Sequence, residues 1–205
     1  EQLPKLRWCQ VHTTVMLSEG QRYNTNVTCF GKFKEYIASN SNFNVNVSYN
    51  ELYEKFFDNY YLEAAPYMKK YFEQMNAYME YLESKPDEFG LAGGVYQEIG
   101  NVRYWPKQLL LNWLGIMDDA FKAIGKYKTT DASLCPKLYK HILIETLFPR
   151  YALCDLHPES YSQEEIDSLR REFKKDASAL GVNEFAEHDY EKDAVNAKYK
   201  SWGLK

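Results

Sequence analysis

Six apolar residues, Ala65, Met68, Phe72, Met75, Met79 and Leu82, recur at alternating spacings of three and four. Only a helix puts such residues on one line, so this stretch must fold as an amphipathic helix with a buried stripe. Lys69, Lys70, Glu73, Glu80 and Glu83 fall between the seam positions and turn to water. Pro86 marks the end, because the residue before a proline is pushed out of helical geometry. A helix with one apolar stripe needs partners, and the sequence supplies them.

Pro106 suits a first helical turn, and after it Leu110, Leu114, Met117, Phe121 and Ile124 repeat the pattern. A third helix is predicted from about Leu134 to Leu156. Ile142, Leu143, Ile144, Leu147 and Phe148 make it apolar around much of its circumference, which predicts a central position. Pro149 falls inside it and predicts a bend between Glu145 and Pro149, with Arg150 partly buried and paired beside the bend. Ser162 to Glu165 reads as a capping box, Ile166, Leu169, Phe173, Ala177 and Leu180 as the seam that follows, and Gly181 as its stop. Ser48 to Glu51 is a second capping-box sequence, opening a helix with Leu52 and Phe56. A last helix is expected within Glu187 to Tyr199. From position 47 onward the chain predicts a mainly α helical bundle, residues 47–205.

Residues 1–46 read differently. Leu6 to Leu17 is rich in β-branched and aromatic residues and predicts a strand, followed by the turn-like Ser18-Glu19-Gly20-Gln21. Phe30, Phe33 and Ile37 share one face of a short helix, and Asn40 to Val47 alternates Asn with apolar residues as an extended linker would. Asp87 to Trp105 is a loop carrying four of the ten glycines.

The excluded function classes follow from charge and motif. With 25 Lys+Arg against 29 Asp+Glu, the chain offers no general attraction to a phosphate backbone, so nucleic acid is not an expected partner. No run of about 18 apolar residues is present to span a membrane. Cys9, Cys29, Cys135 and Cys154 form no CxxC pair and have no Cys/His ligand spacing, so no metal site or cofactor is expected and buried free thiols are. His141 and Glu145 lie four apart and predict a simple polar pair on one helix face. No nucleotide-binding loop, zinc-protease motif or nucleophile elbow occurs. The absence of an initiator Met and of a leader pattern suggests a processed product or a fragment.

The candidates for binding come from the 18 Tyr, 11 Phe and 4 Trp. Tyr60, Tyr61, Tyr67, Tyr71, Tyr78 and Tyr81 lie on consecutive helices and predict buried rings with hydroxyls at the rim. Tyr96, Tyr104 and Trp105 border the glycine-rich loop, where aromatic faces can meet a sugar. Glu19, with Gln21 and Arg22 beside it, follows an apparent strand; at the C-terminal end of a barrel strand it would face a substrate.

Phe56-Phe57, Tyr60-Tyr61, Ala64-Ala65-Pro66, Met68 and Tyr71-Phe72, preceded by a short helix, resemble a signature of domain-of-unknown-function family 4838. Leu147 to Tyr151, Phe173 to Asp176 and Trp202-Gly203 are similar to later pieces of that family, so the likeness runs from about Asn24 to Gly203. The resemblance implies a bacterial, glycoside hydrolase-like parent: an (α/β)8 barrel followed by a helical region. This chain would then hold a strand-loop-helix remnant of the barrel and the accessory C-terminal helical domain. The partners so implied are the upstream barrel and an oligosaccharide, and export would follow from a signal peptide on the parent. A barrel needs about 200 residues of its own, so this piece is not expected to be catalytic alone. The alternative is a non-catalytic carbohydrate- or protein-binding helical module, and a plain structural bundle is the third possibility the residues allow.

Overall fold

The computed structural model describes residues 29–44, 46–85, 102–182 and 194–204. Among them the elements are helices and short turns, with no strand. The predicted strand Leu6–Leu17 lies outside the described residues.

The first helix among the described residues is α1, Gly31–Phe43. Phe30 and Phe33 are 1% exposed and Ile37 3%, so the apolar face read from the sequence is the buried one. The predicted linker from Asn40 is corrected: the helix continues through Phe43, and Asn44 takes up the extended backbone. Adding a turn to a helix already nucleated costs little, and the Asn40 side chain donates to the Tyr36 carbonyl at 2.7 Å.

Ser48 then caps α2, Tyr49–Tyr61, by accepting the Glu51 N–H. A single turn, Leu62–Ala64, leads into α3, Ala65–Glu83. Every residue of the three-four seam on α3 is buried. α4 spans Lys107–Ala123, and after the short α5, Tyr127–Thr130, comes α6, Cys135–Leu156. The Ser162 capping box is complete in both directions and opens α7, Gln163–Ala179. α7 ends in a Schellman motif: Gly181 at φ 78 lets the Val182 N–H reach the Ala177 carbonyl at 2.9 Å. The last expected helix is described as α8, Ala194–Ser201, which runs two residues past Tyr199.

α6 is central, packing against α4, α2 and α7. Its apolar circumference has a direct cause. Leu138, Ile142, Ala152 and Leu153 face a main core shared with α1 to α4, whereas Leu147 and Cys154 face a second core with Phe173, Ala177, Val195, Tyr199 and Trp202. The helix runs from Cys135 through Pro149 to Leu156, the extent the sequence predicts, although the Glu145 carbonyl loses the N–H that a non-proline would offer it. Arg150 sits as expected: its guanidinium donates to Asp176 Oδ2 at 2.7 Å and ties α6 to α7. α8 is held by Asp155, which accepts from Lys198 Nζ at 3.0 Å and from Trp202 Nε1 at 3.2 Å.

The main core is dense in rings. Phe30 lies 4.9 Å from Phe72 and Phe33 5.3 Å from the same ring, both edge to face. Such pairs add about 0.5–1.5 kcal/mol each beyond the area they bury. The helix at the start of the described chain therefore shares its core with the helices of the bundle. Cys29, Cys135 and Cys154 are free thiols.

Candidate functional site

Glu145 is the feature that the apolar setting of α6 makes most costly. It stands in the run Ile142-Leu143-Ile144-Glu145-Thr146-Leu147, and its side chain is buried, 3% exposed. An ionised carboxylate there needs donors. Two reach it: the Phe30 N–H at 2.7 Å on Oε2, and the Tyr61 hydroxyl at 3.2 Å on Oε1. Burial pushes its carboxyl up to about 7, while those two donors and the charge of Lys34 pull the other way.

Its surroundings respond to its charge. Burial, then Glu145, pushes the half-buried Cys29 thiol up to about 12, and the Tyr71 hydroxyl lies beside that thiol. The same two causes, in the same order, raise Tyr60 to about 12 and lift Tyr61 well above a phenol's ordinary value. None of these groups is poised as a nucleophile near neutral pH.

The backbone at this point is strained. Among the described residues Phe30 and Leu62 are the non-glycine positions with positive φ, at 53° and 50°. One supplies the N–H that Glu145 accepts, and the other follows Tyr61, which supplies the hydroxyl. Left-handed geometry costs a residue with a side chain about 1–2 kcal/mol. The cluster thus concentrates a buried carboxylate between two strained positions, one at the head of α1 and one at the end of α2.

The expected His141–Glu145 pair is corrected. His141 stacks on Tyr60, centroids 3.8 Å apart and planes 7° off parallel, and its Nδ1 lies 2.9 Å from the Tyr60 carbonyl. A carbonyl only accepts, so Nδ1 carries the proton. Burial holds the His141 pKa below its usual range. The two side chains are linked through consecutive tyrosines of α2 instead of through each other.

Of the sugar-binding candidates, Glu19, Gln21, Arg22 and Tyr96 lie outside the described residues. Tyr104 and Trp105 are placed in the core, at 0% and 2% exposure. The Tyr104 carbonyl accepts from the Tyr78 hydroxyl at 2.6 Å. The Trp105 ring meets Phe148 edge to face at 4.8 Å, and its carbonyl accepts from His157 Nε2 at 2.7 Å. Both residues therefore pack inside the bundle, and neither offers an open ring face. Among the tyrosines, Tyr61 and Tyr71 carry their hydroxyls inside the core, beyond the rim expected for them.

Among the described residues no group of three or more His, Cys, Asp or Glu gathers to hold a metal ion. No helix among them is long and apolar enough to cross a membrane. Sequence reasoning missed the role of Glu145, though one signal was present: a single carboxylate inside an otherwise apolar run. No family model, no curated protein and no solved structure matches this chain.

Proposed function

We propose that this chain is an accessory, non-catalytic helical domain that buttresses the part of a protein preceding it, the parent being a glycoside hydrolase-like, carbohydrate-active enzyme. The observation that carries the buttress is the bond from the Phe30 N–H to Glu145, 115 residues later in the chain. A bundle that seats Phe30 and Phe33 in its core would pass its rigidity to the segment attached ahead of them. The carbohydrate-active parent rests on the signature residues. Phe57, Tyr61, Ala64, Ala65, Met68, Tyr71 and Phe72 are packing residues, and Gly203 at φ 77 ends α8. Such a signature marks a shared fold and leaves chemistry to the preceding part.

The test uses the full parent gene with and without residues 48–204. The intact protein should hydrolyse a member of a glycoside panel, and the truncated one should lose both activity and its cooperative melting transition. An inactive parent that also binds no oligosaccharide by calorimetry overturns the carbohydrate assignment. A truncated parent that melts as the intact one does overturns the buttress.

A further inference from the structure

At the head of α1 one buried carboxylate accepts a backbone N–H, and α1 packs against α2 and, through Phe30 and Phe33, against Tyr71 and Phe72 of α3. We propose that α1 is a pH-responsive latch, docked over Glu145 while that side chain is neutral and released as it ionises. The inference goes beyond the proposed function, since it concerns the latch itself and holds whatever the parent does.

The geometry supports it in three ways. First, Glu145 sits on α6, and Phe30 at the head of α1 lies directly on its Oε2, so undocking α1 is the local opening that lets water reach the carboxylate. Second, among the described residues the groups around it are poor counter-charges. Cys29 and Lys34 face it from the α1 side, Tyr60 and Tyr61 from α2, and Tyr71 from α3; His141 stands one turn earlier on α6. Among the described residues Lys34 is the cation acting on it, and it contributes less than either hydrogen bond. Third, Phe30 is held at φ 53, so release relieves backbone strain as it hydrates the carboxylate.

The direction follows from linkage. The docked carboxyl titrates near 7 and the hydrated one near 4.5. Docking is therefore fully favoured below about pH 4.5 and weakens as pH rises through 7, where the docked form has also lost its proton. The gap between those two values allows an opening constant up to about 300-fold larger above the window than below it.

Amide hydrogen exchange of this chain reads the opening directly. After correction for the intrinsic pH dependence of exchange, the protection of Phe30 and of the α1 amides should fall about 10- to 100-fold between pH 5 and pH 8. Protection in α4, which packs against α3 and α6, should change less. In Glu145→Gln, which keeps an acceptor for Phe30 and never ionises, α1 protection should be level across that range. Tyr61→Phe removes a donor to the ionised form, so its step should move to higher pH, and this keeps the test decisive if Glu145→Gln fails to fold. Level protection in the unmodified chain, an undiminished step in Glu145→Gln, or an unmoved step in Tyr61→Phe overturns the latch. None of these results depends on a glycoside substrate, so failure here and failure of the proposed function are separate outcomes.

Discussion

Replacing Phe30 separates two contributions that the structure superimposes at one residue. Its ring is 1% exposed, with centroids 4.9 Å from Phe72, 5.4 Å from Tyr71 and 5.7 Å from Phe57. Removing such a ring costs about 3–5 kcal/mol, and Phe30→Ala should lose that amount. Alanine keeps a Cβ, however, and so keeps the strain of φ 53. Phe30→Gly loses the same ring but relaxes the backbone, and it should be more stable than Phe30→Ala by about 1 kcal/mol. Phe33 supplies the control. It is equally buried but lies inside α1, where glycine is worse than alanine by about 1 kcal/mol. The Gly-minus-Ala difference should therefore have opposite signs at two positions three residues apart. Urea unfolding followed by circular dichroism, with the slope compared among the four variants, measures both differences. A Phe30→Gly variant less stable than Phe30→Ala would place that backbone in the right-handed region. A Phe30→Ala variant within about 0.5 kcal/mol of the parent would take the ring out of the core.

Two further substitutions examine the seams. Met75 is 7% exposed on the α3 stripe, so Met75→Asp buries a charge without a partner and should cost more than about 3 kcal/mol; a variant that melts cooperatively near the original temperature puts the seam on the other face. Arg150 and Asp176 keep 18% and 28% of their side-chain surface exposed, which limits the pair to about 1 kcal/mol. Arg150→Lys should accordingly lower the melting temperature by about 2–4 °C in a domain of this size, and unchanged melting would show that the pair does not tie α6 to α7.

The helices were legible because their signals are local. The spacing from Ala65 to Leu82, the Ser162 capping box and the Gly181 stop each act within a few residues, and each stands where the spacing puts it. Arg150 was legible too, since a charged residue within an apolar circumference must find a partner. The extent of α1 is not legible, because alternating Asn residues suggest extended chain, whereas a helix seeded at Phe33 and Ile37 carries them with it. The place of Tyr104 and Trp105 beside a loop suggests a binding edge, whereas their burial depends on residues far along the chain that pack against them.

The sequence by itself determined that this chain forms amphipathic helices, where most of them start and stop, and that α6 must lie at the centre. Those properties follow from side-chain spacing of 3.6 residues per turn and from caps that bond within one turn. Only the tertiary structure decided that Glu145 receives the Phe30 N–H, that Phe30 adopts a left-handed backbone, and that His141 turns to Tyr60. Each of these is a contact between residues far apart in the chain. Their partners are set by how whole helices dock, and no periodicity within one segment records that arrangement.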